Sequence, residues 1–165
     1  MVLVSKLKNK IIVITGGSSG IGAASVKLFA EQGGTVVFTG RDIEKGKKYE
    51  RELLSERLNV VFYKCDVSNS DDIKKLKKYI DDEYGRLDIL FNNAGVLRTG
   101  NIDEICEEDW DLAYNVHVKS LLYISKEFMP MLKKSHGVVL NNTSINGLHS
   151  YINGKLSYMY ATSKS

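Results

Sequence analysis

Tyr160 and Lys164 stand four residues apart near the end of the chain, in Tyr160-Ala161-Thr162-Ser163-Lys164. On a helix that spacing puts both side chains on one face, about one turn apart. A phenol ionises near pH 10, too high for acid–base work at neutrality. A cation held beside it favours the phenolate, so the pair is a compact way to build a tyrosine proton donor. A second cluster lies near the start: Thr15-Gly16-Gly17-Ser18-Ser19-Gly20-Ile21-Gly22. Its glycines permit a tight turn and let backbone N–H groups approach a pyrophosphate at a helix N-terminus.

These residues need a scaffold, and hydrophobic periodicity supplies one. Ile11-Ile12-Val13-Ile14 is a short β-branched run, as expected of a strand buried on both faces. The spacing predicts helix over 21–32, ended by Gly33-Gly34. Further strands are predicted at 35–39, 60–63, 87–91 and 137–141. Helices are predicted from Asp42 to about Arg57, from Ser68 or Asn69 to Tyr84, and from about Glu107 to Lys134. Strands alternating with helices of this length imply βαβ units and a parallel sheet. Right-handed crossovers then give a Rossmann-type, doubly wound sheet with helices on both faces. The unusual clusters all fall at the C-terminal ends of strands, where such sheets bind ligands.

The chain's 165 residues are enough for one domain with a real core. A formal charge of +3, spread over dispersed lysines with acids nearby, argues against nucleic-acid binding. No run has the length needed to cross a bilayer, and the charged stretch from Met1 to Lys10 is unlike a signal peptide. Cys65 and Cys106 have no metal-like spacing. They predict reduced, buried or half-buried thiols of a cytoplasmic protein with no bound metal. His117, His136 and His149 look incidental, although His149 lies where it could touch a substrate.

The glycine loop resembles the cofactor loop of the short-chain dehydrogenase/reductase family. The later features follow in family order: Asp66-Val67 after the third strand, Asn92-Asn93-Ala94-Gly95 after the fourth, Trp110 and Asn115-Val116 in the long helix, Ser144 and Gly147 after the fifth strand, then Tyr160-x-x-x-Lys164. The resemblance covers essentially the whole chain. It implies an oxidoreductase that moves a hydride between a nicotinamide and a small carbonyl or alcohol substrate. Gly16, Ser18, Ser19, Gly20, Ile21 and Gly22 would meet the cofactor through the loop. Asp66 and Val67 would meet its adenine, and Asn93, Ala94 and Gly95 would line the adenosine side and brace the sheet. Ser144 would hold the substrate oxygen. Tyr160 would exchange a proton with it, and Lys164 would favour the phenolate and bind the nicotinamide ribose. Asn115 would mark a local break in its helix, its carbonyl holding a water that leads from the lysine to solvent. The long helix would pair across a homodimer or homotetramer interface.

The end of the second strand bears on the cofactor. An acid there would bind the ribose 2′-OH and select NAD(H). The position holds Gly40, followed by Arg41, which can pair with a 2′-phosphate. NADP(H) is therefore expected, with NAD(H) the alternative because Asp42 is close by. Asp42 itself fits the N-cap of the next helix.

Two departures from the family pattern stand out. The interval from Ser144 to Tyr160 is long, so residues 146–157 are expected to reshape the substrate pocket. Family members also continue past the Tyr-x-x-x-Lys motif with two more strands and a substrate lid. The C-terminal strands are missing from this sequence, which is expected to be a portion of a longer enzyme. The alternative is a truncated, non-catalytic nucleotide-binding fragment.

Overall fold

The structure is a computed structural model and describes residues 5–98, 100–148, 151–152, 155–156 and 158–165. Five strands form one parallel sheet: β1 (Ile11–Ile14), β2 (Thr35–Gly40), β3 (Val60–Lys64), β4 (Ile89–Asn92) and β5 (Val138–Asn141). Their order is β3-β2-β1-β4-β5, so the winding direction reverses between β1 and β4. Register carries Ile12 opposite both Val36 and Ile89, and β5 continues the ladder with Ile89 opposite Val138.

Successive strand residues point to opposite faces, and the core divides accordingly. Ile12, Ile14, Val36 and Phe38 pack against Val26 and Ala30 of α1 (Gly20–Glu31) and Leu53 of α2 (Ile43–Ser55). Val13, Val37 and Leu90 face the other way. They meet Ile73, Leu76 and Ile80 of α3 (Ser70–Tyr84), together with Ile124, Phe128 and Leu132. Those last three lie on α5 (Ser120–Ser135). Buried on both sides, β1 and β2 explain their unbroken apolar runs.

Local chemistry sets the helix boundaries. Asp42 caps α2 by accepting the Lys45 N–H at 3.0 Å, as its sequence context predicts. Asn69 caps α3, accepting from Asp71 and Asp72. At the base of the sheet the buried Asp88 carboxylate accepts the Ile11 N–H at 2.9 Å, Lys10 Nζ at 3.2 Å and Arg86 Nε at 3.0 Å. One side chain thus pins the start of β1 to the start of β4. Burial works against its charge, yet Arg86, the Ile11 amide and Lys10 together hold its carboxyl below the usual range.

The long helix expected over 107–134 is interrupted. It runs as α4 (Glu107–Tyr114), a π-helical turn over Asn115–Lys119, and then α5. Cys106 stands at the head of α4 and is exposed, not half-buried as expected; Cys65 is buried, and burial pushes its thiol up to about 12. Beyond β5 come a single 3₁₀ turn (Ile145–Gly147), a two-stranded antiparallel pair of β6 (Tyr151–Ile152) and β7 (Lys155–Leu156), and α6 (Tyr158–Lys164).

Candidate active site

The crevice at the C-terminal ends of β1, β2 and β4 forms a cleft of about 440 Å³. Gly16, Ser18, Ser19, Ile21 and Gly22 form one wall. Gly40, Arg41, Asp42 and Lys45 close one end, with Cys65, Asp66 and Val67 beside them. Asn93, Ala94, Gly95, Val96, Val116 and Asn142 make the far wall. Of the six loop residues expected to meet the cofactor, Gly20 alone is outside this lining; it takes a φ of 54° at the head of α1. The sequence reading did not single out Thr39, Lys45, Val96 or Asn142. Position at or just after a strand end was the signal available for Thr39, Val96 and Asn142, and the first turn of α2 for Lys45.

The loop and the β4 turn interlock. Gly16 has a φ of 64°, which favours glycine. A Cβ at Gly22 would sit 2.2 Å from the Gly16 carbonyl oxygen and 2.5 Å from Asn93 Nδ2. Asn93 Nδ2 donates to the carbonyls of Thr15 and Gly16 at 3.0 and 3.1 Å. The Asn93 and Ala94 amides both donate to Thr15 Oγ1 at 3.0 Å. Asn92 bonds Asn141 across β4 and β5 at 2.8 Å. Ser19 is the N-cap of α1, yet its side chain makes no capping hydrogen bond, so the leading N–H groups of the helix have no side-chain cap. Asp66 turns its Oδ1 to the Ser68 amide and hydroxyl at 3.0 and 2.7 Å.

The same chain of contacts reaches Lys164. Asn142 Nδ2 donates to Asn93 Oδ1 at 3.0 Å, and the Asn142 carbonyl accepts Lys164 Nζ at 2.9 Å. A Cβ at Gly95 would lie 3.8 Å from that Nζ. Burial lowers the Lys164 ammonium below its ordinary value. The turn after β5 abuts the end of α6 closely: a Cβ at Gly147 would lie 2.3 Å from the Lys164 carbonyl oxygen. Ser144 heads that turn, its Oγ accepting the Asn146 amide at 3.2 Å.

The π turn carries two buried side chains of the long helix, Val116 and His117. Asn115 opens it, and its carbonyl accepts the Ser120 N–H. His117, which looked incidental in the sequence, is only 3% exposed. Its ring stands edge-on to the Tyr160 ring with centroids 5.5 Å apart. Burial, with the Lys164 charge acting in the same direction, pushes the imidazolium down to about 4. The sequence held a usable signal: Ala113, Val116 and Ser120 are buried, and position 117 falls on the face they share. Arg98 pairs with Asp109 at 2.9 Å at the surface, while His149 lies outside the described residues.

A doubly wound parallel sheet with a glycine-lined cleft at its reversal point defines a Rossmann-type α/β protein. The chain belongs to the short-chain dehydrogenase family, whose model matches residues 10–165. It is 34% identical over 145 residues to the 3-oxoacyl-[acyl-carrier-protein] reductase of Thermotoga maritima, covering 87% of this chain and 59% of that protein. It is 31% identical over 150 residues to the 3beta-hydroxysteroid dehydrogenase of Mediterraneibacter gnavus, covering 90% and 54%. Among solved structures, a metagenomic short-chain oxidoreductase in complex with NADP superposes with a TM-score of 0.88 at 31% identity, covering 96% of this chain and 71% of that one. The chain spans about 60% of the length of the first curated relatives it matches.

Proposed function

We propose that this protein is an NADP(H)-dependent oxidoreductase exchanging a hydride between the nicotinamide and a carbonyl or alcohol substrate, with Tyr160 as general acid/base. The observation that carries this reading is the anchoring of Lys164 Nζ on the carbonyl of Asn142, a residue of the cleft wall. It ties the Tyr-x-x-x-Lys helix to the cleft that the glycine loop lines.

The cleft fits a dinucleotide. Gly22 lets the head of α1 pack directly on the Gly16 carbonyl and Asn93, an approach a Cβ would block, and the uncapped N-terminus of α1 favours a pyrophosphate. Gly16, Ser18, Ser19, Gly20, Ile21 and Gly22 would hold the phosphates. Asp66 and Val67 would flank the adenine, with Asn93, Ala94 and Gly95 opposite. Arg41 and Lys45 line the cleft beside Gly40, whose own position holds no acid, and Asp42 in the same lining is engaged by the Lys45 amide. Two cations there favour a 2′-phosphate, so NADP(H) is the proposed cofactor over NAD(H). When bound, the nicotinamide supplies or accepts the hydride.

The chain's own residues handle the proton. Ser144 Oγ accepts from the Asn146 amide, which leaves its O–H to donate to a substrate oxygen. Tyr160 protonates that oxygen in reduction and takes the proton back in oxidation. Lys164, held at the Asn142 carbonyl, would bind the nicotinamide ribose, and a water on the second lone pair of the Asn115 carbonyl would refill the proton. Val118, Leu122 and Tyr123 expose apolar surface along the long helix. This supports self-association through that helix into a dimer or tetramer. Among the described residues no helix is long and apolar enough to cross a membrane; a cytoplasmic location is proposed.

The test is NADPH titration followed by NADPH oxidation across a panel of ketones and aldehydes, with wild type and Tyr160→Phe in parallel. Binding with carbonyl-dependent oxidation that the variant loses supports the reading. Binding with no turnover on any carbonyl would replace it with a non-catalytic nucleotide-binding role.

A further inference from the structure

His117 is a buried titratable side chain to which the reaction above gives no part. Its surroundings fix its chemistry. Val96 N–H reaches His117 Nε2 at 2.9 Å. A backbone amide can only donate, so Nε2 carries no proton. The ring proton therefore sits on Nδ1, which faces Ser163 Oγ at 2.8 Å. Ser163, itself 5% exposed, donates its hydroxyl hydrogen bond to the Tyr160 carbonyl at 3.2 Å. A directed chain results: Val96 amide, imidazole, Ser163 hydroxyl, Tyr160 backbone.

The three anchor points belong to separate parts of the fold. Val96 is on the loop after β4 and lines the cleft. His117 lies within the π turn and is buried there. Ser163 lies on α6, between Tyr160 and Lys164 in sequence. A Cβ at Gly95 would stand 3.4 Å from Nε2, so the ring closes directly on the cleft-lining loop.

We propose that His117 is a positioning residue: a neutral imidazole that clamps the cleft wall at Val96 to the helix carrying Tyr160 and Lys164. The clamp fixes the distance between bound cofactor and proton donor without touching the substrate. The kinetic part of this proposal rests on the oxidoreductase reading; the clamp itself does not.

The experiment uses the full-length protein and has two arms. In the first, ¹⁵N NMR of the imidazole reads the tautomer, and amide hydrogen exchange reads Val96. The expected result is a proton on Nδ1 and a protected Val96 amide. His117→Phe should lower that protection about tenfold or more, as fits losing one buried hydrogen bond. His117→Gln, which keeps an acceptor and a donor, should restore most of it. In the second arm, His117→Phe should lower kcat by about ten- to a hundredfold while NADPH affinity changes less than about threefold, the pattern of lost positioning. His117→Gln should recover turnover. Ser163→Ala keeps the imidazole and removes the far half of the clamp, so it should show a smaller loss of kcat in the same direction. It also preserves the test if His117→Phe does not fold. A proton on Nε2, an unprotected Val96 amide in wild type, or full protection and full kcat in the folded variants would overturn the clamp. Absence of turnover in wild type would overturn the oxidoreductase reading while the first arm still decides the clamp.

Discussion

Both β1 and β5 are four-residue parallel strands, yet Ile12, Val13 and Ile14 of β1 are fully buried while Val138 and Leu140 of β5 are 52% and 39% exposed. The parts of the cleft that they support differ in the same way. Around β1, the glycine loop is held by strand ladders, by two layers of packed helices and by the Thr15–Asn93 network. Around β5, α6 is held by buried Met159 and Ala161 and by two side-chain links, Lys164 to Asn142 and His117 to Ser163. Shape in the first region comes from backbone and bulk. In the second, individual polar contacts add to a smaller apolar footing, so single substitutions should act on different quantities in the two places.

The sharpest break should come from Tyr160→Phe. Loss of the proposed general acid should lower turnover by about a thousandfold, with NADPH affinity and melting temperature nearly unchanged. A variant that lost affinity in parallel would erase the distinction between the two regions. Next is acid titration. The His117 imidazolium lies near 4 in the fold, against about 6.5 unfolded. The unfolded chain then binds more protons between those values, so stability falls as pH drops from about 6.5 to 4, by roughly 2–3 kcal/mol. Denaturant melts across that window should show the slope, and His117→Gln should flatten it. The depressed carboxyls of Asp88 and Asp72 act in the same sense at still lower pH, their contribution lost as they protonate.

On the β1 side, Gly22→Ala should cost about 1–3 kcal/mol of stability through overpacking against Gly16 and Asn93, and NADPH binding with it. Thermal denaturation and a binding titration check both. The smallest effect expected is Arg41→Ala. NADPH affinity should drop about tenfold, as for one charged hydrogen bond, with NADH affinity unchanged. Equal losses for both cofactors would argue against 2′-phosphate recognition at Arg41.

The β1 region was the more legible in sequence. A continuous β-branched run, a glycine loop and an N-capping Asp42 are local signals, and each acts through its own neighbours. The catalytic end was legible as residue types, less so as geometry. A 3.6-residue period read over 107–134 assumes an unbroken helix, whereas the π turn at Asn115–Lys119 shifts the phase. His117 keeps the regular face of Ala113, Val116 and Ser120, and it looked idle because its partners, Val96 and Ser163, are distant in sequence. Gly147 was named for its motif, but its reason appears only in three dimensions, where the turn touches the Lys164 carbonyl. Exposure of Cys106 depends on where α4 starts, and boundaries are the least local feature of a helix.

A π turn fits one more residue into a helix than the regular ladder would hold. The turn at Asn115–Lys119 can therefore be regarded as a one-residue insertion fixed in an otherwise ordinary helix. Removing a residue there would let the hydrogen bonds close in the usual pattern. Everything on one side would then rotate by about 100° relative to the other. Either the apolar stripe of α5 would leave Phe128 and Ile124 out of register with the sheet, or His117 would swing away from Val96. The length of this segment is therefore as constrained as any side chain in it, and a deletion that looks silent by composition would dismantle the site.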